Sequence, residues 1–386
     1  MKKLKWIHVF AILTTIYFFC IEAAPLKAIF SEAQAASSAP TTGGKQNWDS
    51  LVAAAKKEGI VSVYAVWRPE TRAVVTKAFK ARYGIDVEFT PFSRTAELLA
   101  KVQTEQRASL YLVDVFGVGS SAIFSGMKPA GLLGRIEPML ELPEVTDGKN
   151  WSPGGVPFGD KDRTFIAMIA SLKRDIFYNT DMIQEGEITD YSDLLKPQYT
   201  GKITMNDPTV TGSGMSFMLH LAVNLWDLDR AKAYLTQLVG PQQAVIERNN
   251  RIQVEEIAKG KYPIGLAAND EIIANFLKVG AHLGVVHAKQ GVRATSAAGT
   301  LSVATKLPHP NATKLFINWL LTKEGQTVFS QGFGHPSFRK DVSTKGFSPM
   351  FLPQPGEKIW PESEDFRGHM DKVVTMAKQV ISAANK

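Results

Sequence analysis

The chain of 386 residues carries a formal net charge of +7, and 45% of its residues are hydrophobic. This composition excludes a disordered or fibrous protein, and the length favours two globular units rather than one. The modest positive charge suits small anionic ligands, although scattered surface lysines produce the same balance.

The N-terminus has the pattern of an export signal. Three lysines precede an apolar run that ends at Cys20, and the small residues AQA follow at 33–35. We therefore expect a signal peptide at 1–35 and a periplasmic protein, with an uncleaved membrane anchor as the alternative. Residues 1–35 hold four of the 44 basic and two of the 37 acidic residues, so the remaining chain has a net charge of +5. Loss of the single cysteine would exclude a disulfide, a thiolate nucleophile and a cysteine metal site.

The first half of the chain alternates between helix and strand patterns. After a flexible lead-in at 36–46, a helix capped by Asn47 or Asp49 precedes the apolar strand IVSVYAVW. Helices are then predicted at about 70–83 and 95–106, followed by the strands IDVEF and LYLVDVF respectively. This alternation implies a parallel sheet with right-handed crossovers, in which ligands lie beyond the carboxyl ends of the strands.

A second α/β series follows a loop rich in Pro and Gly at 138–159. The segment TFIAMIASLKRDIFYN reads as a strand too long for one small sheet, which could run between two lobes. Strands are predicted over GKITMND and YPIGLAA, and helices after Gly212, over LDRAKAYLTQLV and over HPNATKLFINWLLTKEGQTVFSQ. A terminal helix carries an apolar stripe that indicates core packing. The stripe consists of Phe366, Met370, Val373, Ala377, Val380 and Ala384.

The stretch NDPTVTGSGMSF joins a predicted strand to an apolar helix. Thr211 or Ser213 can cap the helix, which is predicted to begin near Gly214. Free backbone N–H groups at such a helix start, beside hydroxyls and glycines that allow close approach, form a site for an anionic group. Plain helix capping is the alternative. The ligand contacts that we expect in this turn are Thr209, Thr211, Gly212 and Ser213.

Three loops of the first series fall at equivalent strand ends. In VWRPE, Trp67 could stack on a ligand and Arg68 could pair with it bidentately. The helix starts in PFSRTAE and FGVGSS add Ser93, Arg94, Gly119 and Ser120 to the expected contacts. The alternatives are a core position for Trp67, a surface position for Arg94 and a plain cap for Ser120.

The chain resembles the extracellular solute-binding proteins of bacterial ABC importers, in particular the branch that includes ferric-ion-binding proteins. The residues that carry the resemblance are WDSLVAAAKKEGIVSVYAV, YSDLLKPQYTGKITMNDPTVTGSG and GTLSVATKLPHPNATKLFINWLLTKEGQTVFSQ, which place it over nearly all of 47–345. The resemblance implies the two-lobed α/β fold of type II periplasmic binding proteins. Each lobe is then a mixed, mostly parallel sheet flanked by helices, and crossing hinge strands let the lobes close on a ligand.

The two lobes that we expect are 47–162 with 290–345, and 163–289 with 346–386. The partners that the resemblance implies are a small-molecule solute and the membrane permease of an ABC importer. We expect a monomer that binds no nucleic acid and needs no cofactor.

The stretch LAANDE departs from the pattern of the ferric-binding relatives. Those relatives carry two adjacent tyrosines after the matching strand, whereas this sequence has Asn269 and Asp270 there and no adjacent tyrosines anywhere. A ferric site needs phenolate or carboxylate oxygens, so we expect no metal site. Asn269 and Asp270 suit hydrogen bonds to hydroxyl or amino groups of an organic ligand, and an exposed turn is the alternative.

No catalytic motif stands out in the sequence. HExxH is absent, GSGMS is not the GxSxG nucleophile turn, and GVGSS lacks the third glycine of a dinucleotide site. We expect a receptor, and not an enzyme, for a small polar anionic solute such as a phosphonate, a phosphate ester or an organic carboxylate. The alternatives are a ferric-iron receptor with atypical ligands, an enzyme that uses Asp207, Asp270 or Glu271, and a sensory adaptor.

Overall fold

The computed structural model describes residues 42–384 with the exception of 93, 153 and 363. The expected signal peptide, most of the lead-in and the expected ligand contact Ser93 lie outside the described residues. The α-helices of the described part are α1 Thr42–Glu58, α2 Pro69–Tyr83, α3 Thr95–Arg107, α4 Ser120–Ala122, α5 Pro143–Thr146, α6 Ser213–Leu219, α7 Leu228–Val239, α8 Asn250–Ala258, α9 Asp270–Lys278, α10 Pro310–Leu321, α11 Lys323–Phe333 and α12 Asp365–Ala384.

The β-strands of the described part form three sheets. They are β1 Ile60–Ala65, β2 Asp86–Pro91, β3 Val115–Gly117, β4 Leu133–Gly134, β5 Phe165–Ala167, β6 Ser171–Lys173, β7 Ile176–Asn179, β8 Ile203–Asn206, β9 Val245–Glu247, β10 Ile264–Leu266, β11 Leu283–Val285, β12 Val292–Thr295, β13 Thr300–Ala304 and β14 Ile359–Pro361. Helices α4 and α6 each continue into a wider π-helical turn. None of the described helices combines the length and the apolar character that crossing a membrane requires.

The first lobe is built on a sheet with the strand order β2-β1-β3-β13-β4, and β5 pairs with β13. Strand β1 pairs in parallel with β2 and β3, as the helix and strand alternation predicts, whereas β13 is antiparallel to its neighbours. Helices α2 and α10 pack through Phe79, Phe316 and Trp319, whose ring centroids lie 5.1 to 6.1 Å apart. These rings join the helical layer into one core.

The second lobe is built on a sheet with the strand order β11-β7-β10-β8-β9. Strand β8 is parallel to β9 and β10, and β7 is antiparallel to β10 and β11. Helix α12 packs against α6 and α7. Its predicted apolar stripe faces this core, with Phe366, Val373, Ala377 and Val380 buried, but Ala384 at the end of the helix is exposed.

The third sheet, β14-β12-β6, connects the lobes. The sequence predicts one long strand over 164–179, and the structure instead has three short strands there, one in each sheet. Between β5 and β6 the backbone leaves both sheets, and the Ala170 N–H donates to the Pro336 carbonyl at 2.9 Å. This segment therefore passes from the first lobe to the second through β6.

Two predicted helices differ from the observed ones. Helix α1 begins at Thr42, within the expected lead-in, so Asn47 and Asp49 lie inside the helix and do not cap it. The segment predicted as one helix over 309–331 forms α10 and α11. It breaks at Thr322, whose Oγ1 accepts a hydrogen bond from the Gly325 N–H at 3.1 Å and so caps the second helix.

His220 is a buried ionisable group in the second lobe. Its Nδ1 lies 3.0 Å from the amide nitrogen of Asn224, while its Nε2 has no partner in the described part of the chain. Burial, followed by the nearby charge of Arg293, lowers the pKa of His220 from 6.5 to about 3. The unfolded chain therefore binds more protons than the folded one between these pH values, and stability falls as the pH drops through that window.

We predict that His220→Gln removes part of the acid sensitivity. Between pH 7 and pH 5 the wild type should lose about 2 kcal/mol more free energy of unfolding than the variant, because only its unfolded state gains the histidine proton. Urea titrations at both pH values measure this difference. His369→Gln, at a partly exposed position on α12, should retain the wild-type loss; equal losses in all three proteins would contradict the prediction.

Candidate functional site

The two lobes face each other across a cleft of about 610 Å³. Its walls come from α4, α6 and α9 and its floor from β6 and β12 of the third sheet. The polar side chains that line it are Ser120, Ser121, Ser125, Lys173, Thr211, Ser213, Ser216, Asn269, Asp270, Arg293, Thr295 and Glu362.

A second cavity, of about 770 Å³, lies between β9 and the ends of α7 and α12. Its lining residues all belong to the second lobe. Lobe movement cannot close this cavity around a ligand, because no described residue of the first lobe borders it. The interlobe cleft is therefore the candidate site, although it is the smaller of the two.

The stretch NDPTVTGSGMSF forms the turn from β8 into α6. The N-cap residue is Gly212, and the Oδ1 of Asn206 accepts a hydrogen bond from the Gly214 N–H at 3.1 Å. The Asn206 side chain at the end of β8 thus binds a free backbone N–H in the first turn of α6. The hydroxyls of Thr211 and Ser213 do not cap the helix. Both hydroxyl residues line the cleft and have no side-chain partner in the described chain.

The wall from the first lobe is formed where α4 begins. Gly119 is the N-cap, and a Cβ atom there would lie 3.0 Å from the Ala297 carbonyl oxygen, so the two loops approach closely. The Ser120 hydroxyl donates to Glu362 Oε2 at 2.6 Å, and Ser121 lines the cleft beside it. A hydroxyl of the first lobe thus holds a carboxylate that precedes α12.

Two cations lie on the floor of the cleft. The Lys173 Nζ lies 3.2 Å from Asp270 Oδ2, and the Arg293 Nη2 donates to Asp175 at 2.9 Å. Burial disfavours the charge on Arg293, but Asp175, followed by Asp270 and Glu362, outweighs burial and raises the pKa of Arg293. The Arg293 Nε is buried without a partner within the described residues. The floor therefore offers a charged donor group.

Asn269 and Asp270 lie where β10 passes into α9. The Oδ1 of Asn269 accepts hydrogen bonds from two backbone N–H groups of the first turn and so caps the helix. Asp270 is almost fully buried, and its Oδ1 accepts from the Arg174 backbone N–H at 3.0 Å. These contacts fix both side chains at the cleft. Asn269 caps α9 and also lines the cleft, as Asp270 does.

Trp67 lies in the core of the first lobe and not in the cleft lining. Its side chain is 3% exposed, and its Nε1 donates to the Ala298 carbonyl at 3.0 Å. Its ring packs edge-on against Phe329 at a centroid distance of 4.8 Å. The structure therefore gives Trp67 the position of a core residue.

Four further expected contacts lie outside the lining, among them Gly119, which is the N-cap of α4. Arg68 stands at the cleft mouth, where it pairs with Glu271 of the other lobe at 3.1 Å. Arg94 is exposed, and its side chain has no partner in the described chain. Thr209 donates to Asp207 at 2.6 Å within its own turn.

Sequence reasoning missed Lys173, Arg293 and Glu362. It searched the strand ends of the two lobe sheets, whereas Lys173 and Arg293 lie on β6 and β12 of the sheet that connects the lobes. One sequence feature could have indicated the floor: the charged triplet KRD interrupts an otherwise apolar run at 173–175.

The described residues contain no group of three or more His, Cys, Asp or Glu that could hold a metal ion. None of the side chains that line the cleft belongs to a tyrosine. The phenolate oxygens that favour ferric iron are thus missing from the lining in the described structure.

The comparisons with known proteins give a family and a fold. The model of a family described as bacterial extracellular solute-binding proteins matches residues 75–351. No curated protein sequence matches the chain significantly.

Among solved structures, a Trichodesmium protein in complex with iron and citrate has 18% identity and a TM-score of 0.67, over 83% of this chain and 99% of that chain. Ferric iron-binding protein A of Mannheimia haemolytica, in an open conformation, has 19% identity and a TM-score of 0.67, over 83% and 98%. The periplasmic binding protein AfuA of Actinobacillus pleuropneumoniae, with fructose-6-phosphate bound, has 20% identity and a TM-score of 0.56, over 83% and 99%. At these identities the likeness shows the fold alone, and it confirms the two-lobed α/β class.

We predict that Gly214→Ala disrupts the turn at the start of α6, whereas Gly212→Ala does not. An added Cβ at Gly214 would lie 2.1 Å from the Asn206 carbonyl oxygen, and relieving that clash should cost about 2 kcal/mol or more. At Gly212 the nearest atom is 3.7 Å away and the backbone is extended, so the change should stay below about 1 kcal/mol. Urea denaturation compares the two, and equal losses would show that this close approach does not fix the turn.

Proposed function

The chain belongs to the bacterial extracellular solute-binding proteins of ABC importers, and we propose that its interlobe cleft captures a small polar solute that bears an anionic group. Phosphate esters, phosphonates and organic carboxylates are the solute classes that fit. The observation that carries the proposal is the pair of cations on the floor, Lys173 and Arg293, together with an Arg293 Nε–H that has no partner among the described residues. The protein would present the solute to a membrane permease.

The arrangement of hydroxyls supports an oxyanion as the bound group. Thr211 and Ser213 from the second lobe and Ser121 from the first lobe line the same cleft as the two cations. Hydroxyl donors from both lobes can bind separate oxygens of one phosphate or carboxylate, and closure then excludes water from these hydrogen bonds. The fructose-6-phosphate in the AfuA structure shows that a protein of similar fold can hold such a solute.

We further propose that the cleft binds its solute without chemical change. Asp270 is the most buried acid in the lining. It forms an ion pair with Lys173 and accepts a hydrogen bond from the Arg174 backbone N–H, so it is poorly placed to take a proton from a substrate. An iron cargo is disfavoured because tyrosine is missing from the described lining. We also propose that residues 1–35 direct export and that the protein acts in the periplasm as a monomer.

A thermal-shift screen of residues 36–386 tests the solute class. The panel holds phosphate esters, phosphonates, organic acids, amino acids, polyamines and ferric citrate. At a hundredfold excess over the dissociation constant a bound solute stabilises the folded state by about 2.7 kcal/mol, so we expect a clear rise in Tm with an anionic class. A rise with ferric citrate alone, or with polyamines alone, would refute the proposal.

We predict that Lys173→Gln weakens binding of the identified anionic solute at least tenfold. The variant removes a cation from the floor and keeps a hydrogen-bond donor for Asp270. Arg94→Ala is the control, because Arg94 lies outside the lining and should leave affinity unchanged within twofold. Isothermal titration calorimetry measures the affinity of both variants. If Arg94→Ala weakened binding and Lys173→Gln did not, the anionic group would bind at the loop before α3 instead.

A further inference from the structure

The segment after the family match contributes a wall of the cleft. The matched region ends at residue 351, whereas Glu362, Phe366 and Met370 line the cleft beyond it. Strand β14 extends the connecting sheet beside β12, and α12 packs on the second lobe. This segment is thus a structural part of the binding site.

Glu362 is fixed at the end of β14 by both its backbone and its side chain. Its N–H donates to the Ala294 carbonyl at 2.9 Å, and its Oε2 accepts from the Ser120 hydroxyl at 2.6 Å. No cation of the described chain lies within ion-pairing distance of this carboxylate. Its charge nevertheless acts on Arg293, whose pKa it helps to raise. Glu362 therefore presents a negative charge to the cleft that has no direct counterion.

The other charges of the cleft are already matched. Lys173 pairs with Asp270, which lines the cleft, and Arg293 pairs with Asp175 behind it. A solute with only an anionic group can use the two cations, but closure then buries Glu362 beside a second negative charge. Burying a charge without a counterion is costly, so such a solute is disfavoured.

We propose that Glu362 determines specificity by selecting solutes that carry an ammonium group in addition to their anionic group. The anionic group lies towards Lys173 and Arg293, and the ammonium group pairs with Glu362. Phe366 and Met370 flank the carbon chain between them. This inference rests on the proposed function, and it narrows the solute to zwitterions such as amino acids with a terminal amine, aminophosphonates or amino phosphate esters.

Three matched pairs of solutes test the selection, since a methyl group replaces the ammonium group within each pair. They are phosphoethanolamine and propyl phosphate, taurine and 1-propanesulfonate, and β-alanine and butyrate. We expect calorimetry on residues 36–386 to show at least tenfold tighter binding of the ammonium member in every pair that binds. Glu362→Gln should reduce the preference to within threefold, because the amide keeps the contact with Ser120 but loses the charge.

The matched control is Glu364→Gln, two residues further along the chain. Glu364 pairs with Lys128 at 2.6 Å and is not a lining residue of the cleft, so this variant should keep the tenfold preference. Equal binding within the pairs by the wild type, or a preference that survives in Glu362→Gln, overturns the inference and leaves the proposed function intact. If none of the six solutes binds and only polyamines or only ferric citrate raise the Tm, the proposed function fails and the inference fails with it; if another anionic solute without an ammonium group binds instead, the inference alone fails.

Discussion

Three consecutive charged residues, 173–175, hold the connecting strands, the second lobe and the C-terminal segment together around the cleft. Lys173 pairs with Asp270 at the start of α9. Arg174 pairs with Glu357 before β14, and Asp175 pairs with Arg293 on β12. All but Lys173 are almost fully buried. Leaving one such group without its partner costs about 3–5 kcal/mol, so these contacts fix the crossing strands relative to the second lobe and to the C-terminal segment.

The same ion pairs explain why the cleft is a place for recognition. The Nη2 of Arg293 is held by Asp175, while its Nε has no partner within the described residues, so the ion pair keeps this donor group in place before a solute enters. Preorganised donors lose little conformational entropy on binding. Because the charges of the cleft are nearly balanced, affinity depends on how the charges of the solute are arranged, and net charge alone contributes less.

The sequence predicts the architecture well because the α/β alternation is a local pattern. The helix limits follow from apolar spacing and end residues: α2, α3 and α7 lie within a residue of their predicted positions. Strand ends meet at one edge of a sheet, and this rule predicts a position at the cleft for Thr211 and Ser213, which both line it in the structure. Trp67 was placed at that edge by the same rule, but tertiary packing against Phe329 determines its position, and local pattern cannot report such packing.

The C-terminal segment shows where sequence reasoning reaches its limit and where specificity can arise. Its stripe predicts a packed helix but gives no indication of which core it covers, and Glu362 lies in no motif. Only the pairing of β14 with β12 brings this carboxylate beside Ser120, which is 242 residues away in the chain. A segment outside the matched region can change without disturbing the ion pair between Asp175 and Arg293. It can therefore alter which solute is accepted while the hinge and the anion-binding floor stay the same.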